Sequence, residues 1–218
     1  MPQNHGLGRI RQEDPRDQSY LLRATPLLAA LPARPKRKTW YLPERLNQGS
    51  RPHCVGFAWK GFLLSRPRRR TASDPVTIYN EAQRLDGIPG EDYDGTTVRG
   101  GAVFLKKEAR LVGSYRWAFT LRDALDACGL VGPLVLGTDW LEGMMSPTAS
   151  NVWTIQATGS FVGGHAYLLL GYDDSRGLAL IHNSWGSRWG LDGRAYIPYF
   201  DLDRLIRHGG EACIALET

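Results

Sequence analysis

The sequence predicts an α+β fold, with helices in its first half and a largely antiparallel sheet in its second. Two patterns carry this prediction. From 54 to 111 the apolar residues recur at helical spacing, as in CVGFAWKGFLL and AVFLKKEARL. From 133 onward the pattern becomes short apolar runs rich in β-branched and aromatic residues, several of them separated by Gly- and Asp-containing turns. Helices grouped ahead of strands, rather than alternating with them, suggest two lobes around a shared cleft. A chain of 218 residues is long enough for this, and 42% hydrophobic content supplies a core.

Taken in order, residues 1–20 are polar and carry Pro2, Gly6, Gly8 and Pro15, the signature of an extended arm. The apolar run 21–31 suits a short helix or a packed turn, ended by Pro32 and Pro35. A strand is expected at 38–42. A helix follows Pro52, opens at Cys54 and runs to about 65. The charged, proline-containing stretch 66–75 is a loop. Asp74 is a good N-cap and Pro75 a good first residue for a helix to 85. GIPGEDYDGTT (87–97) is a loop, and 97–111 is a helix with two poor helix formers, Gly100 and Gly101, in its first turn. Those glycines mark either a flexible helix start or a place where a substrate backbone comes close. Thr120 caps a helix to 128 that Gly129 stops. Strands are expected at 133–140, 165–174, 178–185, 194–199 and 212–217, with a short helix at 201–207. The resulting division is an arm over 1–39 and one domain over 40–218, with a helical lobe at about 50–112 and a sheet lobe at about 113–218.

Composition excludes several function classes. Charged residues make up 22% of the chain and the net charge is +5. Much of the excess lies in two clusters, Arg34, Lys36, Arg37, Lys38 and Arg66, Arg68, Arg69, Arg70. With no nucleic-acid motif or interleaved aromatics beside them, both are expected to be solvated loops, not a nucleic-acid surface. Three cysteines, Cys54, Cys128 and Cys213, do not make a disulfide framework and suit a reducing compartment. The N-terminus has no signal-peptide core, and no apolar run approaches a membrane span. A cytoplasmic or virion-associated protein is expected, with no membrane partner. Neither a metal-ligand cluster nor a phosphate-binding loop is visible, so no cofactor is expected.

The chemistry-bearing residues sit in two distant stretches. In QGSRPHCVGFAW, Cys54 occupies the first turn of a helix, where free N–H groups and the helix dipole favour a thiolate. The Gln48 amide, one loop upstream, is placed to return beside the sulfur. In GGHAYLLLGYDD, His165 starts an apolar strand, and the next strand ends in HNSWG with Asn183, Trp185 and Gly186. A hairpin brings His165 and Asn183 together. A thiolate needs an imidazole to pair with and to protonate a leaving amine. The imidazole needs a third group to fix its tautomer, which an Asn side chain can be. Trp185 beside them would exclude water. His53 is a competing base but, next to Cys54 at a helix start, should point away. His182 should face the opposite side of its strand.

These residues resemble the papain-like cysteine peptidases. The Gln48-to-Cys54 spacing, His165-Ala166 before a strand ending in Gly171-Tyr172, and NSWGSRWGLDG (183–193) all match that family's segments. Gly100-Gly101 before a helix resembles its substrate-binding glycine pair, and EDPRDQSY (13–20) resembles a segment ahead of the domain in bacterial and phage members. The resemblance implies a papain-like two-lobe fold, with one helical lobe, one β-barrel-like lobe and a cleft between them. It implies Cys54, His165, Asn183 and Gln48 as catalytic residues and Gly100, Gly101, Gly164 and Trp185 as substrate-binding ones. It also implies a protein or peptide substrate, cleaved through a thiolate–imidazolium pair and a thioester. The chain departs from the family at Val55, where an aromatic is usual, and at Arg51-Pro52-His53, where small residues are usual. Residues 1–39 are too short for the usual folded pro-domain, though long enough to cover the cleft or to tie the domain to a larger phage or bacterial assembly. Two rival readings are a structural module that keeps the fold and a cell-wall peptide amidase of the Cys-His type.

Overall fold

The computed structural model describes residues 5–25, 32–69, 74–90 and 93–216. Five α-helices and nine strands are labelled here in chain order among those residues. They are β1 (Arg37–Thr39), α1 (Cys54–Leu64), α2 (Pro75–Leu85), α3 (Val98–Lys107), β2 (Ser114–Ala118), α4 (Leu121–Leu130), β3 (Leu134–Leu141), β4 (Thr148–Ala149), β5 (Trp153–Thr154), β6 (Phe161–Asp173), β7 (Leu178–His182), β8 (Arg194–Pro198), α5 (Tyr199–Arg207) and β9 (Glu211–Leu216). The helix starts follow the capping residues. The Asp74 side chain accepts from the Val76 and Thr77 N–H groups, Thr97 from Gly100, and Thr120 from Asp123.

The strands form one sheet in the order β2-β9-β3-β6-β7-β8-β5-β4, with β1 added beside β6. The thirteen-residue strand β6 is its axis, pairing antiparallel with β1, β3 and β7. It is buried from His165 to Asp173, because α1 covers one side and neighbouring strands flank it. The α1 helix lies on β6 closely enough that a Cβ at Gly61 would stand 2.9 Å from the Leu168 side chain. One hydrophobic core crosses both halves of the chain, from Trp59 and Phe62 in α1 to Trp117, Trp140 and Tyr167 in the sheet.

The expected order of helices and strands is therefore present, but the sheet is open, not closed into a barrel, and it gains three short strands, β2, β4 and β5. Its path ends at β2 and at β4, a strand of two residues, which do not pair with each other. Strand β2 is not among the expected strands, although Ser114-Tyr115-Arg116-Trp117 alternates polar and apolar as a strand should, because five residues between helical patterns are a short signal. In the two arginine-rich clusters Lys36, Arg37, Arg66 and Arg69 are exposed, as expected for solvated segments. In the first, Arg34 pairs with Asp126 at 2.8 Å and Asp174 at 2.7 Å, and Arg37 with Asp173 at 2.5 Å. Lys38 lies over the Trp40 ring. In the second, Arg68 lies over Phe62 and donates to the Ala215 carbonyl, while Arg70 falls outside the described residues. The expected turn at 21–31 is a short 3-10 helix over Leu22–Ala24, and 26–31 lie outside the described residues.

Candidate active site

Cys54 is the first residue of α1 and is fully buried. Its sulfur faces β6, where the Ala166 backbone N–H reaches it. His165 precedes Ala166 on that strand and lies opposite Thr138 of β3. Its Nε2 stands 2.8 Å from Asn183 Oδ1, just beyond the end of β7. That oxygen also accepts the Ser184 backbone N–H at 2.7 Å, which fixes it as an acceptor. His165 must then carry its proton on Nε2 and leave Nδ1 as a lone pair. Nδ1 is buried and makes no hydrogen bond, so thiol and imidazole have not yet joined. Trp140 and Trp185 hold the ring in place, with centroids 4.7 and 4.8 Å from it.

Gln48 is tied to the same corner. Its backbone N–H donates to the Ser184 carbonyl at 2.8 Å, and its Oε1 accepts the Ser184 hydroxyl at 2.6 Å. The amide nitrogen is thereby turned outward and donates to the Arg51 carbonyl at 2.7 Å and the Gly6 carbonyl at 3.1 Å. Ser184, a residue of HNSWG to which the sequence assigns no role, orients the Gln48 amide.

The Gly6 carbonyl belongs to the N-terminal arm, which threads the site. His5 stacks on Trp185 at 4.3 Å, and the Trp185 indole donates to the same Gly6 carbonyl at 3.2 Å. The Gly8 and Arg9 N–H groups both donate to the Gly164 carbonyl at 3.0 Å. Thr96 then holds the arm from the other wall, accepting from Ile10 at 2.9 Å and donating to Gly8 at 2.9 Å. The fit leaves no room for side chains. A Cβ at Gly8 would lie 2.1 Å from the Pro52 carbonyl oxygen, and one at Gly164 would lie 2.0 Å from that of Arg9. The next stretch is anchored differently. Asp14 caps the 3-10 helix Pro15–Tyr20, and Arg99 of α3 pairs with both Asp14, at 3.0 Å, and Asp17. EDPRDQSY is thus the arm's clamp.

Covering the site sets its electrostatics. Burial pushes the Cys54 thiol up to about 12, against the weaker opposing pull of the Ala166 and Val55 N–H groups. Burial also pulls His165 down to about 4, against the Asn183 bond. At neutral pH both are uncharged. The expected ion pair is absent from this arm-covered state because desolvation outweighs the helix dipole.

Two of the substrate-binding expectations are corrected. Gly100 and Gly101 lie inside α3 and are buried by neighbouring helices, away from the arm. A Cβ at Gly100 would meet the Ala82 carbonyl oxygen at 2.4 Å, and one at Gly101 the Trp59 ring at 2.3 Å. They let α3 pack against α2 and α1. The backbone that meets the arm is Gly95-Thr96, one turn earlier, whose DGTT sequence had been taken only as a loop. Gly164 and Trp185 do lie against the arm. His53 packs on Tyr79 at 4.3 Å, not on Cys54, and His182 is buried away from the pair.

No family model matches the chain. A curated protein, an uncharacterized peptidase C1-like protein of Acanthamoeba polyphaga mimivirus, is 33% identical over 70 residues, 31% of this chain and 22% of that protein's length. Among solved structures, xylellain, a cysteine protease from Xylella fastidiosa, superposes with TM-score 0.72 at 20% identity, covering 100% of this chain and 98% of that one. Procathepsin B S9 from Trypanosoma congolense gives 0.67 at 11% identity over 98% and 87% of the two chains. Digestive procathepsin L 3 of Tenebrio molitor larval midgut gives 0.66 at 16% identity over 98% and 76%. The chain has the fold of the papain-like cysteine proteases.

Proposed function

We propose that the protein is a cysteine peptidase, with Cys54 as nucleophile, His165 as acid–base, Asn183 as its orienting partner and Gln48 as an oxyanion donor. The observation that carries this reading is the Gly6 carbonyl held by the Gln48 amide at 3.1 Å, beside a buried thiol and an imidazole whose free lone pair is fixed by Asn183. An amide that donates to a peptide carbonyl in the cleft is the kind of donor an oxyanion needs, which supports giving Gln48 that role.

With the arm withdrawn, the Cys54 proton passes to His165 Nδ1 and the sulfur attacks the substrate carbonyl carbon. The oxygen takes the negative charge, and Gln48 Nε2–H and the Cys54 backbone N–H stabilise it. His165 then returns the proton to the departing amine as the C–N bond breaks, leaving a thioester. A water molecule gives its proton to His165, adds to the thioester and releases the acid and the thiol. The arm-covered state is a closed form of this enzyme. Among the described residues no helix is long and apolar enough to cross a membrane.

The deciding experiment treats the protein and Cys54→Ala with a thiol-directed epoxide, then offers both casein and peptidoglycan. Labelling at Cys54 and casein cleavage lost in Cys54→Ala support the peptidase. Labelling without casein cleavage, but with peptidoglycan cleavage, replaces it with a cell-wall amidase. Neither labelling nor cleavage, even when the arm is unseated as described in the Discussion, leaves a structural module.

A further inference from the structure

The arm's backbone explains how the cleft is covered, but not why Arg9 is where it is. Its side chain is buried to 1% exposure. It enters a pocket floored by Glu211 at the start of β9 and walled by Gly137 of β3, which is paired with Glu211 in register. The guanidinium makes divergent contacts. Nη2 donates to the Gly209 carbonyl at 2.7 Å, Nε and Nη2 both lie 3.4 Å from Glu211 Oε2, and Nη1 lies 3.9 Å from Asp139 at the rim. Gly137 leaves the space that the side chain fills. A Cβ there would stand 2.9 Å from Glu211 Oε2 and 3.1 Å from Arg9 Nε.

We propose that the Glu211 pocket is a specificity pocket of the cleft and selects a basic side chain, arginine above lysine, in the substrate. This rests on the peptidase reading of the same cleft. Arg9 reaches the pocket from a backbone docked on Gly164 and Thr96, the two cleft walls available to any extended peptide. When the arm leaves, Glu211 loses the cation that opposes its burial and is left as a buried acid whose hydrogen-bonding oxygen has no partner. An incoming apolar side chain would keep it unpaired, whereas an incoming cation replaces what Arg9 supplied. The forked contacts to Glu211, Gly209 and Asp139 match a guanidinium; an ammonium meets fewer of them.

The test uses the full chain carrying Arg9→Ala, which empties the pocket. In Cys54→Ala/Gly8→Val/Arg9→Ala, whose arm is also unseated from the cleft walls, calorimetry compares acetylated HGLGRIR peptide with the same peptide carrying citrulline, an uncharged isostere, in place of its first arginine. The proposal expects at least about tenfold tighter binding of the arginine form, an ordinary yield for one buried charge-assisted contact. Adding Glu211→Gln should bring the two within about threefold, and Gly137→Ala, which narrows the pocket, should do so independently, with thermal melts confirming that each variant is folded. Equal binding of the two peptides, no binding of either, or a preference that survives both substitutions overturns the proposal. Cleavage of a position-scanned peptide library by Arg9→Ala with Cys54 intact separates the two readings. Preferential binding without cleavage keeps the pocket and sinks the peptidase, while cleavage with no arginine preference does the reverse.

Discussion

The two stretches of the arm are held by opposite means. Residues 5–10 lie in the cleft and are fixed mainly through backbone hydrogen bonds to Gly49, Thr96 and Gly164, with glycines where the walls are tightest. Residues 14–20 lie on the flank and are fixed by side chains, through the Arg99 pairs with Asp14 and Asp17 and the Tyr20 ring on Tyr115. Backbone pairing along a cleft is how an extended peptide docks, so the first stretch, with its glycines at the tight walls and Arg9 in its pocket, blocks in the manner of a bound peptide. The second is specific to this chain and acts as the tether.

Four measurements press on that difference, taken from the largest effect downward. Arg99→Ala strands the buried Asp17 carboxylate, while Asp14 keeps its pair with Arg16, and loss of one partner of a buried pair costs about 3–5 kcal/mol. Urea denaturation should show a loss of that order, and Cys54 labelling should speed up; unchanged labelling would mean that the flank does not tether the cleft. Gln48→Ala should split two readouts. Loss of one oxyanion donor lowers peptide turnover about 100- to 1000-fold, while loss of the bond to Gly6 loosens the arm and raises the labelling rate. If both fall together, Gln48 supports the fold instead of the reaction. Gly8→Val drives a side chain into the Pro52 carbonyl, and overpacking costs about 1–3 kcal/mol. Borne by the closed form alone, that is about a 5- to 150-fold gain in labelling with little change in melting temperature. A large drop in melting temperature with no gain would place Gly8 in the fold proper.

The smallest effect is a shift along the pH axis. In the closed form the thiol sits at about 12 and the imidazole at about 4, both through burial. Thiolate is the reactive form, so alkylation of the full chain should rise with pH through the alkaline range. Unseating the arm returns water to the site, which lowers the thiol value and raises the imidazole value. In Gly8→Val the rise should therefore move toward neutrality, and turnover should fall in acid as Cys54 protonates and in base as His165 loses its proton. Superimposable profiles for the two proteins would show that the arm does not control the charge state.

How much of this was legible in the sequence depends on whether a residue's role is local. The caps at Asp74 and Thr120 act within three residues and agree with the sequence reading, whereas Thr97, expected as a helical residue, is itself a cap. His165 and Asn183 lie on consecutive strands, so a hairpin alone predicts their 2.8 Å contact. Gly100 and Gly101 misled because close approach to a substrate and close packing of two helices both require the same absent side chain; only the Trp59 ring and the Ala82 carbonyl distinguish them. Ser184, Thr96 and Glu211 were missed for a related reason. Each acts on a residue far away in sequence, and none stands in a local pattern that singles it out from the other Ser, Thr and Glu residues of the chain. The arm's path could not be read because backbone pairing leaves no periodic trace.

The covalent attachment of the covering stretch has a kinetic consequence. A separate inhibitor is shed by dilution; a tethered one is not, because its local concentration is set by the connecting chain and for a short tether is on the order of millimolar. Competing peptides must overcome that concentration at any protein level. On the peptidase reading, dilution leaves the cleft covered, and a change to the covering stretch itself opens it.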